Sequence, residues 1–382
     1  MNGTIYMPVG EVCSSISDTY REKKNMVTLI NTSDVLEGRV LNHERVPNSN
    51  LKGQFKKTFQ RDDILYSEIR PQNRRFAYVD FSPIDYIAST KLMVIRAKKD
   101  VVSPKYLYYF LKNSSTVAEL QLLAETRSGT FPQITFSEVA NLTIPVPSLA
   151  VQEVIVQTMQ CLEDKITCNE QINDNLHQQA ATLFKALFVD LTPFDGTMPP
   201  NWTISTLGDA TEMGAGGDKP KESSPVKTPL CPYPIYSNGI NDYGLYGYTN
   251  DPKIKVESVT VSARGTIGYV CLRHTPYVPI VRLVTLIPDT KVLSAKYLYL
   301  YLRQLHITGT GTTQQQLTVP DFRKTEIIIP DKNTMDSFTE TVTPLFEQIW
   351  ANEDENTKLA EVRDALLPKL MSGEIDVSDI QL

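Results

Sequence analysis

The chain has 382 residues and a formal net charge of −6, with 41% hydrophobic and 21% charged residues. This composition predicts a globular protein of two or three domains, and it excludes a disordered chain, a collagen and a disulfide-rich miniprotein. Because no stretch approaches 18 consecutive apolar residues and the first ten residues lack the pattern of a signal peptide, we expect neither a membrane span nor secretion.

Charge is distributed along the chain in four alternating blocks. Residues 1–150 carry a net charge of +4 and residues 192–335 carry +2, whereas residues 151–191 carry −4 and residues 336–382 carry −8. Charge asymmetry of this kind indicates partners, not fold, and the two basic blocks are the candidates for contact with nucleic acid. We expect the same four boundaries to separate two globular domains from two long helices.

The first basic block mixes short apolar runs with turn residues. IDYIASTKLMVIR at 84–96 predicts strands, and Tyr106–Asn113 predicts a short helix. Two basic clusters, LKGQFKKTFQR at 51–61 and RPQNRR at 70–75, are expected in loops. Their Lys and Arg side chains are of the kind that pairs with phosphates and guanine.

In the segment that follows, apolar residues recur alternately four and three positions apart, which predicts a long helix with a heptad seam. The seam positions are Ile155, Met159, Leu162, Ile166, Asn169, Asn173, Leu176, Ala180, Leu183 and Leu187.

The second basic block repeats the first. SPKYLYYFL at 103–111 returns as SAKYLYLYL at 294–302, and Thr130, Gln133 and Thr135 return as Thr313, Gln316 and Thr318. SVTVSARGTIGYVCL at 258–272 and VPIVRLVTLI at 278–287 predict strands, and Tyr297–Leu305 predicts the matching helix. The segment YPIYSNGINDYGLYGYT at 233–249 is expected to be a loop. The chain is therefore a duplicated α+β module.

The last segment repeats the heptad seam 183 positions later. Its seam positions are Phe338, Val342, Leu345, Ile349, Asn352, Asn356, Leu359, Arg363, Leu366 and Leu370. Polar residues in a seam fix register at a cost in stability. Antiparallel helices would pair Asn169 with Asn356 and Asn173 with Asn352, whereas parallel helices would pair Asn169 with Asn352. Two halves related by a pseudo-two-fold axis favour the antiparallel coiled coil, and the alternative is that each helix is only core for its own domain.

Motifs for catalysis are missing from the sequence. It has no Walker loop and no HExxH motif, and His177 is expected to be solvated on its helix. The glycine-rich MGAGGDK at 213–219 lacks the GK[ST] ending of a phosphate loop, and Asp63, Glu68 and Arg70 only faintly match a nuclease constellation. We therefore expect a binding protein that is not an enzyme.

Eight segments, spread over both halves, carry a family resemblance. In the first half they are LINTSDVLEGRV (29–40), DDILYSEIRP (62–71), KYLYYFL (105–111) and IPVPSLAVQEVIV (144–156). In the second they are YPIYSNGINDYGLYGY (233–248), SARGTIGYV (262–270), TTQQQLTVPDF (312–322) and ALLPKLMSGEIDV (365–377). In these segments, and in the order of two blocks and two helices, the chain resembles the specificity subunit of type I restriction-modification systems. IIIPDKNTMDSF at 327–338 departs from the family, which usually has a second Pro and a Gln there.

The resemblance implies two pseudo-symmetric target-recognition domains, each reading one half of a split, asymmetric DNA sequence. It implies an antiparallel coiled coil that sets the spacing between the halves and docks two methyltransferase (modification) subunits. Restriction (translocase-nuclease) subunits would complete the complex. S-adenosylmethionine, ATP and Mg would be bound by those partners and no cofactor by this chain, in the cytoplasm and away from membranes. The five scattered cysteines also favour a reducing cytoplasm.

Charge, residue type and resemblance together select the residues expected to contact double-stranded DNA. They are Lys52, Lys56, Lys57, Arg61, Arg70, Arg74, Arg75, Arg127, Lys219, Lys221, Tyr236, Asn238, Arg264 and Gln314. The residues expected to set the coiled-coil register are Asn169, Asn173, Asn352 and Asn356. Two alternatives remain open: an adaptor whose two lobes bind proteins, and an independent enzyme that uses the glycine-rich segment.

Overall fold

The computed structural model of the chain describes residues 4–22, 24–49, 53–127, 130–309 and 316–377. The chain divides into two compact units. Unit 1 consists of residues 1–169 and 354–382, and unit 2 consists of residues 170–353. Each unit thus contains one basic block and part of both long helices, so the helices are not segments apart from the globular units.

The first half of the chain contains twelve labelled strands and five labelled helices within the described residues. In chain order they are β1 (Ile5–Pro8), α1 (Val9–Val12), β2 (Cys13–Ile16), β3 (Met26–Ile30), β4 (Val35–Leu36), β5 (Arg39–Val40), β6 (Val46–Pro47), β7 (Phe55–Lys57), β8 (Ile64–Ser67), β9 (Phe76–Tyr78), β10 (Tyr86–Ser89), β11 (Leu92–Ala97), α2 (Pro104–Lys112), α3 (Ser114–Arg127), α4 (Phe136–Asn141), β12 (Thr143–Val146) and α5 (Leu149–Phe184).

The second half follows a closely similar order. Its elements are β13 (Thr203–Thr206), α6 (Leu207–Ala210), β14 (Thr211–Ala215), β15 (Ser223–Ser224), β16 (Tyr233–Tyr236), β17 (Leu245–Thr249), β18 (Ser258–Val261), β19 (Val270–Arg273), β20 (Val278–Pro279), β21 (Val284–Pro288), α7 (Ala295–Gln304), α8 (Val319–Phe322), β22 (Glu326–Ile329) and α9 (Lys332–Ser372).

Both units contain two four-stranded sheets. The first has the same strand order in both units, whereas the fourth strand of the second lies beside β10 in unit 1 and beside β17 in unit 2. The order is β2-β11-β8-β9 and β6-β3-β10-β7 in unit 1, and β14-β21-β18-β19 and β15-β17-β16-β20 in unit 2. The second sheet of each unit has one parallel pair, β3 with β10 and β16 with β20. A further antiparallel pair, β1 with β12 or β13 with β22, completes each unit. The predicted α+β fold with two equivalent halves is therefore confirmed.

The local predictions are confirmed in part. The two predicted short helices are α2 and α7, and each long apolar run contains two strands joined by a turn. The tyrosine-rich segment 233–249, expected to be a loop, contains the paired strands β16 and β17, because Tyr and Ile, which favour strands, lie on either side of the turn residues. Helix α3 was missed, since it follows α2 after a single residue, Asn113, with no Gly or Pro between them.

In unit 1 the two long helices pack antiparallel. Asn169 donates from Nδ2 to Oδ1 of Asn356 over 2.8 Å, and Lys165 forms an ion pair with Glu355 at 3.1 Å. Further along, apolar residues of both helices enter one core with α2; they include Ile155, Met159, Leu367 and Leu370. The helices therefore pair with each other and also form core for the unit.

Unit 2 repeats this arrangement. Asn352 donates from Nδ2 to Oδ1 of Asn173 over 2.7 Å, and Asn173 donates from its own Nδ2 to the carbonyl of Ile349 over 3.2 Å. Phe184 of α5 and Phe338 of α9 are buried in the same core. These are the asparagine pairs expected for antiparallel helices; that they set the register stays a prediction.

Two details of the helix prediction are wrong. Leu183 is 36% exposed, whereas Phe184 is buried, because α5 continues into a π-helical turn at Lys185–Val189 and Phe184 joins an aromatic cluster with Phe188. His177 is half-buried with its ring edge-on to Phe346, and burial lowers its pKa below the ordinary value.

None of the described helices combines the length with the apolar character that crossing a bilayer would require.

The asparagine pair of unit 2 makes a testable prediction. Asn352→Leu alone should lower the free energy of unfolding by about 1–3 kcal/mol, because it leaves the buried Asn173 amide without its main partner. Asn173→Leu with Asn352→Leu should recover most of that loss, since neither polar group then remains. Urea denaturation checks both.

Asn175→Leu is the matched control, because Asn175 is an exposed residue of α5, the helix that contains Asn173. It should change the free energy of unfolding by less than about 0.5 kcal/mol. A double variant at least as unstable as the sum of its two single variants would contradict the prediction.

Candidate nucleic-acid interface

A tight turn at the same place in each unit carries a basic side chain. In unit 1 the turn between β10 and β11 contains Thr90 and Lys91, and 191 positions later the turn between β20 and β21 contains Val281 and Arg282. The two turns are equivalent because β11 and β21 occupy the same place in their sheets.

The turn in unit 2 is strained. Val281 and Arg282 have φ values of 52° and 61°, and the amide of Leu283 donates to the carbonyl of Ile280 over 3.1 Å. Two successive left-handed residues closed in this way form a type I′ turn, which normally contains Asn and Gly. A β-branched residue there is an outlier, and such strain is found most often at functional sites.

In unit 1, Lys91 lies in a polar cluster. Its Nζ donates to Oε2 of Glu68 over 3.2 Å and to Oε1 of Gln133 over 3.1 Å. The amide of Ile134 donates to the carbonyl of Glu68 over 2.9 Å, which holds Gln133 beside the end of β8. The cluster therefore joins three separate parts of the chain.

Lys57 supports this turn from the neighbouring strand. Its Nζ donates to the carbonyls of Thr90 and Leu92 over 3.1 and 2.7 Å, and burial lowers its pKa below the ordinary value. Lys56, the next residue on β7, is exposed instead. Of these two predicted DNA contacts, Lys56 presents its charge to solvent and Lys57 fixes the backbone that carries Lys91.

In unit 2, Asn238 connects the turn to the end of β18. Its Nδ2 donates to the carbonyl of Val281 over 2.7 Å, and its Oδ1 accepts from the amide of Ala263 over 2.8 Å. Arg264 follows directly and donates to Oε1 of Gln316 over 3.1 Å. The structure thus brings the predicted residues Asn238 and Arg264 together.

Strand register shows that the two clusters share one backbone frame. Ile64 pairs with Ile95 and Val259 pairs with Leu286, so β8 and β18 are equivalent. Arg70 follows Ile64 by six residues and Gly265 follows Val259 by six, so Arg70 and Gly265 are equivalent positions. Both have positive φ, 43° and 69°. The same frame presents Arg70 and Lys91 in unit 1, but Arg264 and Arg282 in unit 2.

The 70–75 cluster is built around a 3₁₀ turn at Pro71–Asn73. The amide of Gln72 donates to Oε1 of Gln121 in α3 over 3.1 Å. Arg74, also left-handed with φ of 53°, forms an ion pair with Glu37 at 3.2 Å. Arg75 donates to the carbonyl of Ser33 over 3.0 Å. Arg74 and Arg75 therefore bind groups of unit 1 itself, and Arg70 is the exposed arginine of this cluster.

The other predicted contacts lie apart from these clusters. Arg61 is exposed after β7, and Arg127 at the end of α3 forms an ion pair with Glu138 at 2.7 Å. Lys219 lies over the ring of Tyr246, with Nζ 5.1 Å from its centroid, and Lys221 is exposed.

Tyr236 lies against the guanidinium of Arg273, whose Cζ is 3.6 Å from the ring centroid. Lys52 and Gln314 fall outside the described residues. DNA contact by each of the fourteen residues stays a prediction.

Asp63 and the glycine-rich segment, both considered for chemistry, have structural contacts. Asp63 is fully buried, with its two oxygens 2.7 and 2.8 Å from the guanidinium of Arg96, so it belongs to an internal ion pair. The glycine-rich segment continues β14, and a Cβ at Gly216 would lie 2.8 Å from the backbone of Ile280. That glycine allows close approach of two backbones beside the strained turn.

Lys91 and Arg282 were missed from the sequence. The signal that could have found them is the repeat itself, since Thr90-Lys91-Leu92 and Val281-Arg282-Leu283 interrupt equivalent apolar runs at the same offset as the repeated helix. Each of these residues stands alone in a strand pattern, outside the clusters of basic residues.

Comparisons with known proteins agree with the duplicated fold. The family model described as the type I restriction modification DNA specificity domain matches residues 6–178 and 199–361. The type I restriction enzyme HindI specificity subunit of Haemophilus influenzae is 31% identical, over 91% of this chain and 94% of that relative. The MjaIX specificity subunit of Methanocaldococcus jannaschii is 27% identical, over 78% of this chain and 77% of that relative.

A solved structure shares the fold. It is the type I restriction-modification system S subunit from M. genitalium, with a TM-score of 0.57 and 16% identity, covering 98% of this chain and 97% of that one. Because the family model matches twice and accounts for most of both halves, the chain belongs to the type I restriction-modification DNA specificity subunits.

Proposed function

We propose that each unit reads one half of a bipartite, asymmetric DNA sequence through its strand-end cluster. The observation that carries this proposal is the common frame with different side chains: Arg70 and Lys91 in one unit, Arg264 and Arg282 in the other. A shared backbone supports a shared way of docking, while different side chains support different target sequences. The chain itself would contribute no catalytic group.

The residue types support both parts of recognition. Exposed Lys and Arg neutralise phosphates, and their contribution falls as salt rises. Arg also binds guanine with two parallel hydrogen bonds, and Gln or Asn binds adenine in the same way. Gln133 and Gln316, one in each cluster, place an amide beside a basic group. A cluster with both groups can bind backbone and base edge together.

The long helices would hold the partners and set the spacing. Their segments carry net charges of −4 and −8, which repel phosphate, so their exposed faces favour protein over DNA. We assign these faces to two modification subunits that bind S-adenosylmethionine, with restriction subunits that use ATP and Mg completing the complex. The cytoplasm, where host DNA lies, is the proposed compartment.

Substitution of the turn residues tests the reading clusters. Lys91→Ala and Arg282→Ala should each weaken binding to one half of the target only, because each belongs to one unit. Loss of a base contact should cost about 1–3 kcal/mol of binding free energy and relax the sequence preference at one base pair. Loss of a phosphate contact should instead reduce the slope of the logarithm of the binding constant against the logarithm of salt concentration by about 1. Titrations of the assembled complex on duplexes with either half scrambled, at several salt concentrations, measure both.

Lys99→Ala and Lys291→Ala are the matched controls, since both are exposed and lie beyond the opposite ends of β11 and β21. Equal effects of a turn variant on both halves of the target would contradict the assignment. Binding that is insensitive to sequence and to salt would favour the adaptor alternative.

Shortening both helices tests the spacer. Deleting residues 164–170 together with 355–361 removes one heptad from each helix and leaves Asn173 with Asn352. Seven helical residues correspond to about 10 Å, or about 3 base pairs along DNA. Methylation mapping should therefore find unchanged target halves separated by a shorter spacer. Altered halves with an unchanged spacer would exclude the helices as the spacing element.

A further inference from the structure

Unit 2 contains a cavity at a place where unit 1 has a β-hairpin. Its volume is about 430 Å³, and it lies between β19, α7 and α9. Tyr299, Phe346 and Trp350 form much of its apolar wall. The comparison between the two units identifies what such a cavity can hold.

In unit 1 the outer strand of the sheet is covered. Strand β9 is at the edge of its sheet, and the hairpin of β4 and β5 lies beside it. The amide of Gly38 donates to the carbonyl of Phe76 over 2.9 Å, and the amide of Tyr78 donates to the carbonyl of Gly38 over 3.1 Å. A Cβ at Gly38 would collide with the hydroxyl of Tyr108, so the hairpin also fits closely on α2.

In unit 2 the equivalent strand, β19, is not covered in this way. Pairing with β18 places Val270 and Leu272 where unit 1 has Phe76 and Tyr78, so their backbone groups point away from β18. Among the described residues no strand pairs with this outer side. The connection from β16 to β17, residues 237–244, is seven residues shorter than the matching 31–45 in unit 1, and it forms no hairpin.

The surroundings indicate the chemistry of an occupant. Tyr299, equivalent to Tyr108, lines the cavity, and Trp350 stacks on His274 with 4.1 Å between ring centroids. Arg273 and Arg303 also line it, together with Glu353, which accepts a hydrogen bond from the hydroxyl of Tyr243 over 3.0 Å. An apolar strand with an acidic side chain suits these walls, as the hairpin of unit 1 does with Glu37 beside an arginine. Open strand edges bind extended segments through backbone hydrogen bonds.

We propose that the outer side of β19 binds an extended, apolar segment of the modification subunit, with an acidic side chain near Arg303. The choice of partner rests on the proposed function, since Phe346 and Trp350 belong to α9, the helix assigned to docking that subunit. The segment would take the place that the β4–β5 hairpin takes in unit 1.

A peptide with the sequence of residues 31–41, NTSDVLEGRVL, is the probe for the edge itself. Labelled peptide should bind the full-length chain saturably in fluorescence anisotropy. Leu272→Pro should weaken binding at least tenfold, because it removes the outward amide and spares the bonds to β18. Leu272→Ala, which keeps that amide, should weaken binding less than threefold. A scrambled peptide that binds equally, or equal effects of the two variants, would overturn the proposal.

Hydrogen exchange tests the edge without any variant. The outward amide of Leu272 should exchange at least tenfold more slowly when the peptide or the modification subunit is added, whereas that of Tyr78, already bonded to Gly38, should not change. If the exchange rate of the Leu272 amide does not change with the peptide, β19 does not bind an extended strand. If it does not change in an assembled complex, the modification subunit is not the partner that binds there.

Complex assembly is measured separately by size-exclusion chromatography, and DNA reading by titration. If no complex assembles, the proposed docking of the modification subunit is wrong, and so is its assignment as the partner of β19. The peptide result still decides whether the outer side of β19 binds a strand. Loss of DNA reading alone leaves this proposal standing.

Discussion

Hydrogen bonds between asparagine amides join the two long helices in both units. An asparagine that is removed from water must find a partner or cost about 1–3 kcal/mol, so a seam with two asparagines on each helix tolerates few alignments. In unit 1 Asn169 is hydrogen-bonded to Asn356, and in unit 2 Asn173 is hydrogen-bonded to Asn352, so we predict that these pairs set the register. Leucine at these places would bury more apolar area and would accept shifted or reversed alignments. The segments that these pairs align are also core for each unit, so the sheets depend on the same alignment.

The duplicated sheets separate what is held constant from what varies. The turn after β10 or β20, the end of β8 or β18 and a glutamine from a distant loop recur in both units. One backbone contact recurs with them, since the amide of Ile134 donates to the carbonyl of Glu68 and the amide of Leu317 donates to the carbonyl of Ala263. At one left-handed position unit 1 has Arg70 and unit 2 has Gly265. Glycine takes that conformation without steric cost, whereas arginine there costs about 1–3 kcal/mol. The shared strands and turns fix the positions of the side chains, and the side chains that differ between the units determine which groups each cluster can bind.

Much of this architecture could be predicted from the sequence, and the failures have physical causes. The duplication follows from the sequence repeat, and the heptad seams and the short helices follow from hydrophobic periodicity, which is the main signal of secondary structure in a sequence. The prediction that Leu183 is a seam residue was wrong, because an aromatic cluster around Phe184 outweighs the heptad pattern at the end of α5. The positions of Lys57 and Asn238 could not be predicted, since both bind backbone carbonyls that only the folded sheets bring near. The sequence pattern around a basic or amide residue in a loop is the same whether its side chain faces solvent or supports a turn.

Unit 2 is one uninterrupted stretch of chain, whereas unit 1 is assembled from two stretches far apart in sequence. Leu367, Leu370 and Met371, near the end of the chain, are buried in the core of unit 1 together with residues from its first stretch. During translation, therefore, all residues of the later unit leave the ribosome before the earlier unit receives its last core side chains. Until those turns of α9 are made, the apolar side chains of the first stretch that pack against them lack that cover, and exposed apolar surface of this kind favours aggregation.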